Sequence, residues 1–380
     1  MLLLLLSAGN FAIGMGAFVV IGLHNPLAEA FDLSPAEAGW VMTSYAIAYA
    51  LGSPIAVAAT GNLPRRTVLL SGLALFMIGA LATAAAPTAE LLFAARVVVA
   101  LGAGMFTPIA AGMAIATSAP EVQGAALAKV FAGLTIAQAV GVPAGAWIGY
   151  TLGWQAAFVL TALLCAACWA GLWRGVPADL PNQATRLSDL GAMLTRGWSV
   201  LTILFTASFL GAIYVVYTYL APLLSDRMGY GRDGITVILV LFGLGAVLGN
   251  LLGGWMTDRI GPFRTLLILS LSQVAIMPIF VFLPMPDVAL AILVLVWSVM
   301  GWSFTAAQQI RVVQAEPEKR SVALALNAAS IYVGASLGAA LGGWVLEAAG
   351  PGWVGPAGGA FAALAVLHLL MTERHLSGRT

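Results

Sequence analysis

The chain has 380 residues, of which 61% are hydrophobic and only 8% charged, where a soluble domain carries roughly 25% charge. The formal net charge of +1 offers nucleic acid or an acidic partner no electrostatic handle. Apolar runs of about 20 residues recur along the whole length, continuous where barrel strands would be short and alternating, so the fold class is all-α integral membrane.

In chain order, the first run is MLLLLLSAGNFAIGMGAFVVIGL. It lacks the basic n-region of a signal peptide and exceeds an h-region in length, so it reads as a span. Its abrupt start points to a few residues missing upstream. The spans are expected at 2–23, 37–58, 66–86, 90–112, 122–148, 153–174, 198–222, 234–256, 263–284, 287–310, 320–346 and 353–371, twelve in all. Short loops marked by Pro, Gly or charge join them, among them NPLAEAFDLSP, GNLPRR, SAPEVQG and AEPEKR. One connection is longer, so the expected organisation is an N-terminal six-helix half at 1–174, a linker at 175–197 and a C-terminal six-helix half at 198–380.

Lys and Arg set the orientation. With the N-terminus inside, the inner loops and termini receive Arg65, Arg66, Lys129, Arg174, Arg186, Arg196, Arg259, Arg264, Arg311, Lys319, Arg320, Arg374 and Arg379. The outer loops receive only Arg227 and Arg232, and Arg96 is left inside a span, several residues from its outer end. Both termini are therefore expected to be cytoplasmic.

The halves repeat. TDRIGPFRTLL at 257 aligns with ATGNLPRRTVL at 59, an offset of 198 that keeps Pro64/Pro262, Arg66/Arg264 and Thr67/Thr265 in step. AVGVPAGAW at 139 aligns with SLGAALGGW at 336, an offset of 197. Two matches at nearly one offset indicate a six-plus-six duplication, and parallel halves around a central pathway are a transporter architecture.

The loop G-W-M-T-D-R-I-G-P-F-R (254–264) resembles the signature G-x-x-x-D-R-x-G-R-R of the major facilitator superfamily, matching at Gly254, Asp258, Arg259 and Gly261, with Arg264 one step late. ARVVVALGAGM in the fourth span is similar to that superfamily's Arg-containing helix. GLTIAQAVGVPAGAWIGYTLGWQAAF (133–158) resembles the Gly/Pro-rich helix of its 12-span drug:proton antiporter and sugar-efflux branch. The resemblance covers essentially the whole chain. It implies the major facilitator fold of two pseudo-symmetric halves, alternating access and export of drug-like compounds or sugars across the inner membrane, with import or facilitated passage of a neutral solute as the alternative. The implied partners are a small-molecule substrate, the lipid bilayer and, through the antiporter branch, protons. A monomer with no cofactor, metal or catalytic residue is expected.

Departures from the pattern bear on mechanism. Thr60 and Gly61 stand in the first-half loop where Asp and Arg stand in the second. Gly16, in GMGAF, occupies the first-span place where relatives often carry an acidic residue, and Val99 replaces a polar residue after Arg96. The loop around Asp258 is expected to act as a conformational clasp, its carboxylate meeting a helix N-terminus in one state only.

A charge inside the membrane is by default a functional hypothesis, and Arg96 is that charge, with snorkelling to the headgroups as the plain alternative. No Asp or Glu lies near the middle of any span, so either transport is weakly coupled or uncoupled, or protons bind near the outer end at His24, Glu29 or Asp32. The uncoupled reading is favoured. Helical spacing together with the superfamily's cavity-lining spans nominates Asn10, Phe18, Tyr45, Tyr49, Arg96, Gln138, Tyr214, Tyr217, Trp297, Gln308 and Asn327 as an amphipathic lining with little charge. Two other features read as packing. Cys165 and Cys168 form a CxxC inside an apolar span. GASLG (334–338) matches G-x-S-x-G, but an intramembrane serine hydrolase would need His368 beside Ser336.

Overall fold

The computed structural model describes residues 1–119, 122–177, 187–317 and 320–377. Arg186, Lys319 and Arg379 of the charge pattern, and residues 178–186 of the long connection, lie outside them.

Twelve helices among the described residues are long and apolar enough to cross a membrane. They are span 1 (Leu2–Gly22), span 2 (Pro35–Ala59), span 3 (Arg65–Ala84), span 4 (Ala89–Ala116), span 5 (Ala126–Leu152), span 6 (Trp154–Gly175), span 7 (Gly197–Met228), span 8 (Arg232–Ile260), span 9 (Pro262–Phe282), span 10 (Asp287–Ala315), span 11 (Val322–Ala349) and span 12 (Pro351–Arg374). In hydrocarbon every backbone group must be satisfied internally, which a helix does and an open strand does not. Successive spans alternate in direction. Loops 2–3, 4–5, 6–7, 8–9 and 10–11 and both termini therefore share one end, here the basic end.

Local chemistry sets the boundaries. Span 2 starts at a capping box: Ser34 Oγ accepts from the Glu37 amide at 3.2 Å, and Glu37 Oε2 accepts from the Ser34 amide at 2.8 Å. Span 8 stops at Gly261, whose φ of 82° a side chain would resist, and Pro262 opens span 9. The outward faces are apolar, as lipid requires. On span 8 the exposed large residues Val237, Val240, Leu244, Leu248, Leu251 and Trp255 recur at helical spacing.

Four elements differ from the sequence expectation. Residues His24–Phe31, expected as loop, form a short helix closed by Asp32 in the left-handed region (φ 52°). Span 7 runs past the expected 222, because the chain bends at Thr218 and Tyr219 and then resumes as Leu220–Met228. Span 10 runs past 310 to Ala315, so Arg311 joins Arg96 as a basic residue inside a span and is not a loop residue. Within the expected linker, Leu187–Leu194 is helical and packs on spans 2, 7 and 11.

Span 5 carries a π segment, Ala137–Gly141, just ahead of Pro143. Proline lacks an N–H and crowds the carbonyl four residues back, and one extra residue in the turn relieves that clash. The two halves meet where span 2 packs on span 11 and span 5 packs on span 8. Each of those pairs is the other with the halves exchanged, as a duplication demands. Small residues permit the close approaches. A β-carbon on Gly334 or Gly342 of span 11 would stand 2.6 Å from the Ala207 carbonyl oxygen or 2.5 Å from that of Val215, both on span 7. One on Gly243 of span 8 would overlap the backbone of the π segment.

Candidate functional site

Arg96 comes from span 4 and is fully buried. It does not turn out to the headgroups. Its Nη1 donates to the Gly16 carbonyl at 2.7 Å, its Nη2 to the Ala17 carbonyl at 2.9 Å and its Nε to the Val41 carbonyl at 3.4 Å. The guanidinium also lies 4.7 Å from the centre of the Tyr45 ring. Spans 1, 2 and 4 are thus held by one planar fork. At Gly16, where the sequence resemblance implies an acidic residue, the backbone carbonyl receives the guanidinium instead. A β-carbon on Gly16 would stand 2.7 Å from Thr161 Cγ2 and 2.9 Å from Phe76 Cζ, so the packing leaves no room for an acid.

The second feature is aromatic and bridges the halves. Tyr49 of span 2 lies against Tyr332 of span 11 with ring centres 3.8 Å apart. Tyr45 meets the same ring edge-on at 5.8 Å. Tyr214 of span 7 meets Tyr217 edge-on, ring centres 5.8 Å apart. Tyr217 stacks on Phe242 at 4.0 Å, and Trp297 closes the group against Phe242 at 5.1 Å and Phe280 at 5.2 Å. These rings are all nearly or fully buried, as is Phe18.

The nominated residues divide by what their polar atoms do. Asn10 is committed: its Nδ2 donates to the Val130 carbonyl at 3.0 Å, and its Oδ1 accepts from Thr107 at 3.0 Å. Asn327 Oδ1 accepts from Thr206 at 2.6 Å and from Gln308 Nε2, which also donates to the Thr202 carbonyl at 2.8 Å. These tie helices together. By contrast the Tyr45 and Tyr214 hydroxyls, Gln138 Oε1, Gln308 Oε1 and Trp297 Nε1 make no hydrogen bond among the described residues. A buried polar atom without a partner is costly and rare, so these are the atoms a polar solute or water would satisfy. Gln138 sits in the π segment at the seam between spans 5 and 8, a distortion frequent at functional sites.

Three rings of the cluster, Tyr332, Phe242 and Phe280, are not among the residues nominated from sequence. Tyr332 could have been found by the rule that singled out Tyr45, since it too is a tyrosine deep within a span. Phe242 and Phe280 carry no signal that separates them from any other apolar residue of a span. Arg311 donates to Thr372 Oγ1 at 3.0 Å and Glu373 at 3.2 Å near the basic end. Glu316, also buried there, takes Arg196 at 2.6 Å and Ser199 at 2.5 Å beside a cavity of about 280 Å³.

The clasp residues lie at the basic end of span 8 and the start of span 9. Asp258, Arg259 and Arg264 are exposed, and Arg259 rests over the Trp255 ring at 5.4 Å. Asp258 makes no hydrogen bond or ion pair among the described residues. Gly254 and Gly261 have open space where a β-carbon would go. The hydrolase arrangement is not formed: His368 Nδ1 pairs with Ser208 at 2.8 Å, while Ser336 bonds to the Val333 carbonyl within its own helix.

Two pseudo-symmetric six-helix halves and a buried aromatic cluster that bridges them are the architecture of a membrane transporter for small solutes. The chain belongs to the Major Facilitator Superfamily, whose family profile matches residues 6–315. It is 31% identical to the Inner membrane transport protein YdhP of Escherichia coli (strain K12), over 98% of this chain and 96% of that protein. It is 30% identical to the Chloramphenicol resistance protein of Streptomyces lividans, over 88% of this chain and 86% of that one. Among solved structures, the crystal structure of a D-xylose-proton symporter superposes with a TM-score of 0.75 at 17% identity, covering 97% of this chain and 96% of that one, a likeness of fold.

Proposed function

We propose that this transporter exports small, uncharged or weakly polar organic molecules across the inner membrane of a bacterium, with both termini in the cytoplasm. The halves 1–174 and 198–380 rock about the tyrosine cluster, joined through 175–197, and one chain is a complete working unit because both halves supply the cluster. The observation that carries this reading is the set of buried aromatic rings from spans 2, 7 and 11 with unpartnered hydroxyls and amides close by. Such a lining favours flat apolar bodies with a few hydrogen-bonding groups. The nearest fixed charge, Arg96, is already bonded to three carbonyls and is poorly available to an anionic solute. Export and drug-like compounds are supported by the resistance protein that is 30% identical. The basic end as cytoplasmic is supported by the lysine and arginine bias.

Proton coupling is weak or absent in this reading. Gly16, the place where the family resemblance implies a carboxylate, is closed to a side chain by Phe76 and Thr161. The buried carboxylate Glu316 lies at the basic end in an ion pair, away from the cluster. Net export then follows the solute's own gradient.

The test is efflux from cells preloaded with chloramphenicol and a panel of neutral aromatic compounds and sugars. Faster efflux of at least one neutral compound than from cells carrying the Tyr214→Ala variant is the expected result. Equal efflux for every compound, or faster entry alone, overturns the reading.

A further inference from the structure

At the end opposite the basic one, the halves are sealed by Tyr219, at the bend of span 7. A β-carbon on Gly39 of span 2 would overlap its hydroxyl, and one on Gly343 of span 11 would stand 2.6 Å from it. The hydroxyl donates to the Ala339 carbonyl at 2.7 Å, which anchors the ring to the C-terminal half. From the N-terminal half His24 packs edge-on against the same ring, centres 5.4 Å apart.

His24 lies just beyond span 1 and is only 3% exposed. Neither ring nitrogen makes a hydrogen bond of ordinary geometry, and the buried Thr218 hydroxyl across the seam has none either. Between them is a void of about 10 Å³, lined by Val20, Ile21, His24, Ala38, Gly39, Met42 and Thr218. That is about the volume one water needs, and one ring nitrogen of His24 together with the Thr218 hydroxyl are the polar atoms that would hold it.

We infer that His24 is a proton-binding site within the seam, hydrated by one water shared with Thr218, and that binding a proton there opposes closure of the two halves at this end. The proton enters and leaves on the same side as the gate moves, so external acid controls the gate without a proton being carried across. The inference rests on the alternating-access reading only in requiring that this end opens.

The charges around the site do not compensate an imidazolium. Span 1 contributes Val20 and Ile21, and span 7 contributes Thr218 and Tyr219. On span 2 Glu37 is exposed and bonded to the Ser34 amide, and on span 11 exposed Glu347 accepts from Ser34 at 3.4 Å. Glu29 and Asp32 on the histidine's own helix, and Asp226 on the continuation of span 7, are exposed, while Arg227 donates to the Leu283 carbonyl. Burial accordingly lowers the imidazole from its ordinary 6.5 to about 4, partly offset by the Pro35 carbonyl nearby. With the gate open and the ring in water the value returns to the ordinary one. The protonated form then favours the open gate, and closure is lost as pH falls below 6.5. Between pH 7.5 and 5.5 the open-to-closed ratio should rise about tenfold.

The experiment is a spin-label distance measurement in lipid nanodiscs. Labels go on Ala30→Cys and Ala348→Cys, exposed positions of opposite halves at this end, with Cys165 and Cys168 replaced by alanine. The expected result is a long-distance population that grows about tenfold relative to the short one from pH 7.5 to 5.5. His24→Gln, neutral at both values, should abolish the growth, while Glu29→Gln and Asp32→Asn should retain it. Two populations whose ratio ignores pH, or a response that survives His24→Gln, overturn the proposal alone. A single population at both pH values overturns it together with alternating access. Should His24→Gln misfold, magnetic resonance of histidine-labelled parent protein replaces it. In that spectrum His24 must stay neutral in the closed population at pH 5.5, and a protonated ring there overturns the proposal.

Discussion

Gly39→Ala isolates the seal at Tyr219. The added methyl carbon would overlap the Tyr219 hydroxyl and stand 2.7 Å from Cζ. The ring has little freedom to retreat, because its hydroxyl is bonded to the Ala339 carbonyl. Overpacking of this kind costs about 1–3 kcal/mol. The cost falls on the state closed at this end, since in the open state the halves separate and the clash disappears. The open-to-closed ratio should therefore rise by about 5- to 150-fold at constant pH. Spin labels on Ala30→Cys and Ala348→Cys read that ratio directly. Tyr219→Phe removes the overlapping oxygen, so the double variant Gly39→Ala/Tyr219→Phe should recover much of the closed population, an interaction that a double-mutant cycle quantifies. An unchanged ratio in a folded Gly39→Ala protein, or no recovery in the double variant, would refute the reasoning.

Further expectations concern the remaining site residues. Arg96→Ala should insert but lose transport, whereas Arg96→Lys should keep part of it, because an ammonium cannot span from Gly16 and Ala17 to Val41; losing that third bond costs about 1.5–3 kcal/mol. Thermal unfolding in detergent and compound efflux measure the two effects, and full efflux by the alanine variant contradicts the hub role. Gly16→Asp should lower stability by about 1–3 kcal/mol through contact with Phe76 and Thr161 and should fail to create proton flux; a stoichiometric pH change on substrate addition would argue otherwise. Asp258→Asn should slow transport while changing stability by less than about 0.5 kcal/mol, since the exposed carboxylate has no partner among the described residues. Equal transport by the variant would reduce that loop to a topology anchor.

The fold was largely legible because a bilayer imposes a minimum run length, and those runs stand out in a chain with 8% charge. Pro143 is plain in the sequence of span 5, but the π segment ahead of it has no local signature. The site was harder to read. In a span that is apolar all round, periodicity does not distinguish the face toward lipid from the face toward the other half. Tyr332 and Phe242 therefore passed as ordinary, although each touches a nominated ring. Asn10 and Asn327 had the composition of cavity residues, but their amides are used within the protein, which only hydrogen-bond partners reveal. Arg311 was misplaced by a boundary error of five residues, since the apolar run fades before the helix ends. Tyr219 and His24 fell at bends that no local motif marked, and the seal they form exists only once the two halves are docked.

Counterflow in proteoliposomes with a matched pair of compounds tests the central claim most directly. The pair shares one aromatic body and differs only in a neutral or a permanently cationic side group, and no pH or voltage gradient is applied. Exchange of the neutral member, at a rate that falls in both Tyr45→Ala and Tyr214→Ala, is the result expected of an uncharged, half-bridging cluster. Preferred exchange of the cationic member, or neutral exchange that ignores both substitutions, would contradict it.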